Sequence, residues 1–264
     1  MARLIKSIQG KIRKRKVLRS TLSRKQENLG VINLHRMDDR NAGDWYCAPH
    51  HYFKELKGTG LDIFDYKRED IEIKTNFVEK IAKNSLIIGG GGLLNRSGFA
   101  LQMKTLEKLS SKGKKTILWG VGHNEKSHQT YGKVVHYSVD VQNFGLAGTR
   151  DYSMPGEYVP CVSCLHPLFD QSYKESQEYG VILHKDTLTK PKIVALFDKY
   201  PSTSNTKDIK AIIEFIGSSQ KIVTDSYHAM YWSMLLGKKV VVIPNSSKFY
   251  DFKYKPIILS LIHI

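Results

Sequence analysis

Residues 221–244 read KIVTDSYHAMYWSMLLGKKVVVIP, and their pattern sets the class of fold. Ile222 and Val223 close an apolar run of strand type. A helix is predicted over 229–236 with Gly237 as its stop, and a second strand over 240–243. The turn between the first strand and the helix carries Thr224, Asp225, Ser226, Tyr227 and His228. In a parallel sheet with right-handed crossovers such a turn lies at the carboxyl edge, where ligands bind and a helix N-terminus attracts anions. An imidazole there, His228, is a candidate general acid. A plainer role also fits, with Asp225 or Ser226 capping the helix and His228 on its first turn.

Outward from this unit the same alternation recurs. An apolar run over 30–34 enters the polar loop HRMDDRNAGDWYC and then a helix, and 61–66 is weakly strand-like. A compact strand over 85–88 runs into Gly89, Gly90, Gly91 and Gly92, and 100–109 has helical spacing. Another strand over 115–119 ends in Gly120-Val121-Gly122-His123, and one over 144–148 leads into Thr149-Arg150-Asp151. Residues 165–178 are polar and read as a linker. A second series follows, with a strand over 181–183 and helices near 192–199 and 206–216. The pattern predicts an α/β chain of two Rossmann-like doubly wound domains, 29–168 and 178–264, facing across a cleft, behind a basic tail over 1–28. The second domain offers only three strands, and the chain stops in the apolar run PIILSLIHI at 256–264. It is therefore expected to be incomplete.

The net charge of +16 is unevenly spread. Residues 1–28 hold ten Lys/Arg against Glu27, which leaves 31 cations against 24 acids in the rest. Such a balance suits phosphorylated substrates or anionic lipid. Leu4, Ile5, Ile8 and Ile12 recur at helical spacing among the N-terminal cations, as in a helix lying on an anionic membrane surface; a disordered arm is the alternative. No window approaches ~18 apolar residues, and the N-terminus lacks the apolar core of a secretory signal. A cytoplasmic protein, peripheral at the inner face of the membrane, is expected. The 14 Tyr and 10 Phe form no basic-aromatic module, so no nucleic-acid partner is expected. Cys47, Cys161 and Cys164 make no disulfide framework. The C-x-x-C pair, bracketed by Pro160 and Pro167, reads as structural thiols.

Four successive glycines after a buried strand allow a tight turn that brings backbone N–H groups of Gly90, Gly91 and Gly92 against a phosphate or carboxylate; a packing turn is the alternative. The spacing is neither a dinucleotide fingerprint nor a Walker loop. Asp44, in Asn41-Ala42-Gly43-Asp44, either caps a helix or serves as base toward a hydroxyl. Arg150 follows a strand directly and is placed either to grip an anion bidentately or to pair with Asp151.

Four ordered pieces, NAGDW at 41–45, IIGGGGLLN at 87–95, GTRDYS at 148–153 and TDSYHAMYWSMLLGKKV at 224–240, resemble the polysaccharide pyruvyl transferase family. The resemblance implies two Rossmann-like domains in the glycosyltransferase-B manner and transfer of a pyruvate ketal from phosphoenolpyruvate to a sugar or lipid-linked oligosaccharide. It implies no metal and no cofactor beyond the donor substrate. His228 and Asp44 would be catalytic, while Gly90, Gly91, Gly92, Arg150 and Ser226 would bind the donor. Asn41, Asn95, His123 and Asp225 would line the acceptor side of the cleft. One departure stands out. The family shows Arg-Leu-His-Gly where this chain has Ser226-Tyr227-His228-Ala229, so Arg150, Arg96 or Lys185 must supply the missing charge, or the donor differs. A nucleotide-sugar glycosyltransferase of the same architecture, or a non-catalytic sugar-phosphate binding protein, are the alternatives.

Overall fold

The computed structural model describes residues 2–259, with side chains from Gln9 onward. The N-terminal sheet comprises β1 (Val31–His35), β2 (Gly60–Asp62), β3 (Ser85–Ile88), β4 (Gly91–Leu94), β5 (Thr116–His123), β6 (Leu146–Thr149) and β7 (Glu157–Tyr158). Its order is β2-β1-β3-β5-β6-β7, with β4 also on β5, and every pairing is parallel. The C-terminal sheet comprises β8 (Gln177–Leu183), β9 (Ser202–Ser204), β10 (Ser219–Thr224), β11 (Lys239–Val242) and β12 (Ile257–Ile258), parallel in the order β12-β11-β10-β8-β9. In both, the chain steps to one side of the first strand and then returns to the other, β1 to β2 then β3, and β8 to β9 then β10. Each sheet thus has a topological switch point at its carboxyl edge.

The helices are α1 (Ala2–Ser23), α2 (Ala42–Tyr46), α3 (Ile71–Lys83), α4 (Ser97–Ser110), α5 (Pro191–Val194), α6 (Ile209–Gly217) and α7 (Tyr227–Leu235). Local chemistry accounts for the amphipathic ones. The Asp70 carboxylate accepts from the Glu72 and Ile73 amides to open α3, which buries Phe77, Val78, Ile81 and Ala82. Asp208 caps α6 through the Ala211 amide, and Ile209, Ile212, Ile213 and Ile216 form its buried stripe. Helix α7 differs, since all residues from Tyr227 to Ser233 are buried. A helix apolar on every side must have neighbours on every side.

Several expectations are corrected. Residues 1–28 are not a tail. Ala2–Ser23 fold as α1, and Leu18 and Thr21 are buried against α3 and α4, with Val17 and Leu22 packed alongside. The Glu27 and Leu29 amides bond to the end of α3, and buried Lys114 donates to the Glu27 and Ala82 carbonyls. Ile12 remains exposed, and the side chains of Leu4, Ile5 and Ile8 lie outside the described ones. The four glycines are not a simple turn: β3 ends before Gly89, and Gly91 and Gly92 begin β4, which continues along β5 where β3 leaves it. The stretch 165–178 joins the two sheets and is mostly exposed, with the 3-10 turn Pro167–Asp170 at its start anchored by buried Leu168. The C-terminal sheet has five strands rather than three, because short β9 and β12 escaped notice; residues 260–264 of the apolar run lie outside the described residues. Among the described residues no helix is long and apolar enough to cross a membrane.

Leu18→Ala is expected to lower unfolding free energy by about 2–5 kcal/mol in urea titrations, as for a buried leucine. Ile12→Ala on the exposed side of α1 should stay within about 0.5 kcal/mol. Equal small effects would show that α1 is not part of the folded core.

Candidate functional site

The carboxyl edges of the two sheets meet at a cleft of about 340 Å³ lined by the loops that follow β1, β3, β5 and β6 on one side and β8, β9, β10 and β11 on the other. Polar links brace the meeting. Asn205 Nδ2 donates to Asn41 Oδ1 at 3.0 Å, and the Ala42 amide donates to the Asn205 carbonyl at 2.9 Å. Lys185 pairs with Asp38. His123 Nδ1 and Ser247 Oγ are 2.7 Å apart, and the Glu125 amide also donates to that hydroxyl. Apolar packing completes the junction. The Trp232 indole donates to Ser163, the Tyr231 hydroxyl donates to the Cys161 carbonyl, and Ala42, Cys47 and Cys161 share one core with α7. The Cys-x-x-Cys segment is therefore a docking strip for α7, and its thiols are free.

Positive charge dominates the cleft. Its lining carries Arg36, Arg40, Arg96, Lys126, Arg150, Lys185 and Lys248 against Asp38, Asp44 and Asp186. Arg36 is held by Asp62 and Lys185 by Asp38, so neither is free. Arg150 is different. It is 2% exposed, its guanidinium carbon lies 3.9 Å from the centroid of the Tyr227 ring, and its Nε and Nη1 have no hydrogen-bond partner. It does not pair with Asp151, whose Oδ2 accepts from the His123 amide at 2.6 Å and the Tyr137 hydroxyl at 3.1 Å. Gly122 makes both positions available, since a Cβ there would stand 2.6 Å from Asp151 Oδ1 and 2.8 Å from Arg150 Nε. A buried, unpaired guanidinium is costly, and an anion in the cleft would relieve that cost.

Ser226 precedes α7 without capping it, and the first α7 amide to find a helical acceptor is that of Met230, on the Ser226 carbonyl. The free amides of the first turn thus open toward the same cleft as Arg150. Lys248 stands there too. Burial, reinforced by Lys126 and Arg150, lowers its pKa to about 7, and among the described residues no acid pairs with it. His228 packs its ring on Gly43, where a Cβ would collide with it, and its Nε2 lies 3.6 Å from Cys161 Sγ. Burial, then Arg150, Lys248 and His184, hold that imidazole well below its ordinary value. Asp44, bonded to Asn41 Nδ2 at 2.9 Å, is raised by desolvation.

The structure brings together most of the residues singled out in the sequence. Asn41, Asp44, Gly90, Gly91, Gly92, Arg150, Ser226 and His228 all line the cleft. His123 does not, since it bridges the two halves beneath. Asn95 and Asp225 are corrections. Asn95, at φ 56, ties its amide group to the backbone of His136 and Ser138, which fixes a loop. Asp225 accepts from the His184 amide at 2.6 Å and from the Thr187 hydroxyl, bracing the loop after β8. Gly90 is partly a packing residue, its amide bonded to the Cys47 carbonyl at 3.0 Å and its α-carbon too close to that oxygen for any side chain. Lys126 and Lys248 were missed. Their only signal is position shortly after a strand, which becomes visible once β5 and β11 have ends.

No family model matches the chain, and no curated protein matches it. Among solved structures, an uncharacterized protein from Klebsiella pneumoniae is similar at a TM-score of 0.48 and 14% identity, over 94% of this chain and 96% of that one.

Two outcomes follow from the geometry. Gly43→Ala should destabilise the protein by about 1–3 kcal/mol through overpacking on His228, and His228→Ala should recover part of that loss in a double-mutant cycle read by denaturation. Additive effects would refute the contact. Lys248 is protonated below about pH 7 and neutral above it in the free protein. Sulfate, fully ionised throughout, should therefore bind more weakly by calorimetry as pH rises from 6 to 9, and Lys248→Met should flatten that slope.

Proposed function

We propose that this protein is a transferase that moves an enolpyruvyl-derived ketal from phosphoenolpyruvate to a sugar of a cell-surface polysaccharide or its lipid-linked precursor. The observation that carries the reading is the unpaired, buried Arg150 guanidinium beside the open amides of α7. A compact donor with a phosphate and a carboxylate needs two anion-binding elements in one small space. Arg150 with Lys248 supplies charge, and Ser226 with the α7 amides supplies directed donors. This reading also offers a charge for the departure at Ser226. Of the cations considered, Lys185 is paired with Asp38 and Arg96 lies half-buried over the Phe99 ring, whereas Arg150 is buried and free.

The chemistry follows the needs of an enol phosphate. The donor's negative charge offsets Arg150 and Lys248, so His228 regains a proton and passes it to the methylene carbon. The C2 centre becomes oxocarbenium-like, a sugar hydroxyl adds, and Asp44 takes its proton. The C2–O bond to phosphate then breaks, its electrons leave with phosphate, and the Asp44 proton goes with them. A second hydroxyl closes the ketal at C2 and returns a proton to His228. Arg150, Lys248 and the α7 amides hold the departing phosphate.

The glycosyltransferase-B-like layout belongs to this proposal, because two parallel sheets meeting at their carboxyl edges suit a donor on one side and an acceptor on the other. It also suits a nucleotide-sugar glycosyltransferase, the second reading. The exposed cationic side of α1 would hold the enzyme near an anionic membrane bearing a lipid-linked acceptor.

Arg150→Met tests the reading. Phosphate release from phosphoenolpyruvate with a sugar acceptor should fall about 10²–10³-fold. Thermal unfolding should stay level or rise, because an unpaired buried charge is replaced by an apolar chain of similar length. Unchanged turnover, or nucleotide release from a sugar nucleotide without phosphoenolpyruvate activity in the parent protein, would overturn it.

A further inference from the structure

Strand β1 ends in His35, and the 3-10 turn Pro49–His51 carries His50 and His51 back beside it. His35 Nε2 and His50 Nε2 lie 3.0 Å apart, and one ring nitrogen from each of the three histidines lies within 4.8 Å of the others. The His50 and His51 rings are 4.0 Å apart at their centroids. His35 is fully buried, and His35 Nδ1 and His51 Nε2 are buried without a hydrogen-bond partner. Among the described residues no carboxylate pairs with any of the three, so nothing compensates them as cations. Three imidazoles with converging ring nitrogens, two of those nitrogens buried and unpartnered, are a ligand set for a metal ion.

We propose that His35, His50 and His51 form a binding site for a divalent transition metal of the zinc class. Tetrahedral coordination at about 2.0–2.1 Å sets ligand nitrogens roughly 3.3 Å apart, close to the His35 and His50 separation. His51 is half-buried, with a ring nitrogen within 4.8 Å of those of His35 and His50. Three imidazoles select zinc, cobalt, nickel or copper over magnesium and calcium. The backbone of Asp44 flanks the His35 ring and that of Trp45 flanks His51. None of the three lines the cleft. The metal therefore clips β1 to the segment carrying Asn41, Asp44 and Cys47 from beneath, a structural role separate from the transfer chemistry.

The test uses tag-free, chelator-stripped full chain titrated with Co²⁺ and then Zn²⁺. One Co²⁺ per chain with the visible absorption of tetrahedral nitrogen ligation, displaced by Zn²⁺ and accompanied by a higher unfolding temperature, is expected. His50→Gln and His51→Gln should each weaken Co²⁺ binding at least ten-fold, while His136→Gln at an exposed position should not. Absence of one-to-one Co²⁺ binding in the parent protein, or binding unchanged in both His50→Gln and His51→Gln, would overturn the site.

Discussion

Helix α7 has no face to solvent over its first two turns, and this single constraint organises the molecule. One side lies on the C-terminal sheet through Ile222 and Val240, and the other meets α2 and the strip around Cys161. Because the C-terminal sheet packs on one side of this helix and α2 with the Cys161 strip on the other, the carboxyl edges of the two sheets face one another across its N-terminus. Gly43 is the closest point of that approach, since the ring of His228 occupies the space a side chain would need. The polar links through Asn41, Asp38 and His123 surround this apolar wedge and set its angle.

Charge placement follows from that geometry. The seven cations in the cleft come from the ends of six strands, with only Arg36 and Arg40 sharing β1, so no local sequence rule could have kept them apart. Arg36 and Lys185 are neutralised by carboxylates, whereas Arg150 and Lys248 share a desolvated space without partners. Burial, then Lys126 and Arg150, lowers Lys248, and burial, then Arg150 and Lys248, lowers His228.

Two glycine-rich strips solve different problems. Gly89 and Gly90 let the chain pass from β3 to β4 against the Trp119 and Cys47 carbonyls, so the run widens the sheet along β5 while its far end lines the cleft. Gly122 leaves room for Arg150 and Asp151 to diverge, one toward the cleft and one into a buried hydrogen-bond network. The first is a packing device with a functional edge. The second decides directly whether a guanidinium is free.

The sequence by itself determined the α/β class, the parallel order of strand, turn and helix, and the turns on which Asp44, Arg150, Ser226 and His228 sit. Those follow from hydrophobic period and glycine placement, which are local. Short strands such as β9 and β12 escaped because three or fewer residues carry no period, and they exist through pairing with β8 and β11. The membership of α1 in the core was hidden because Leu18 and Thr21 are too few to outweigh the surrounding cations in a linear pattern. Only the tertiary structure decided that Asp225 and Asn95 brace loops while Lys248 joins the cleft, and that His35 meets His50 and His51. Each depends on which strand ends share an edge, a relation set by burying α7 and not by any neighbouring residue along the chain.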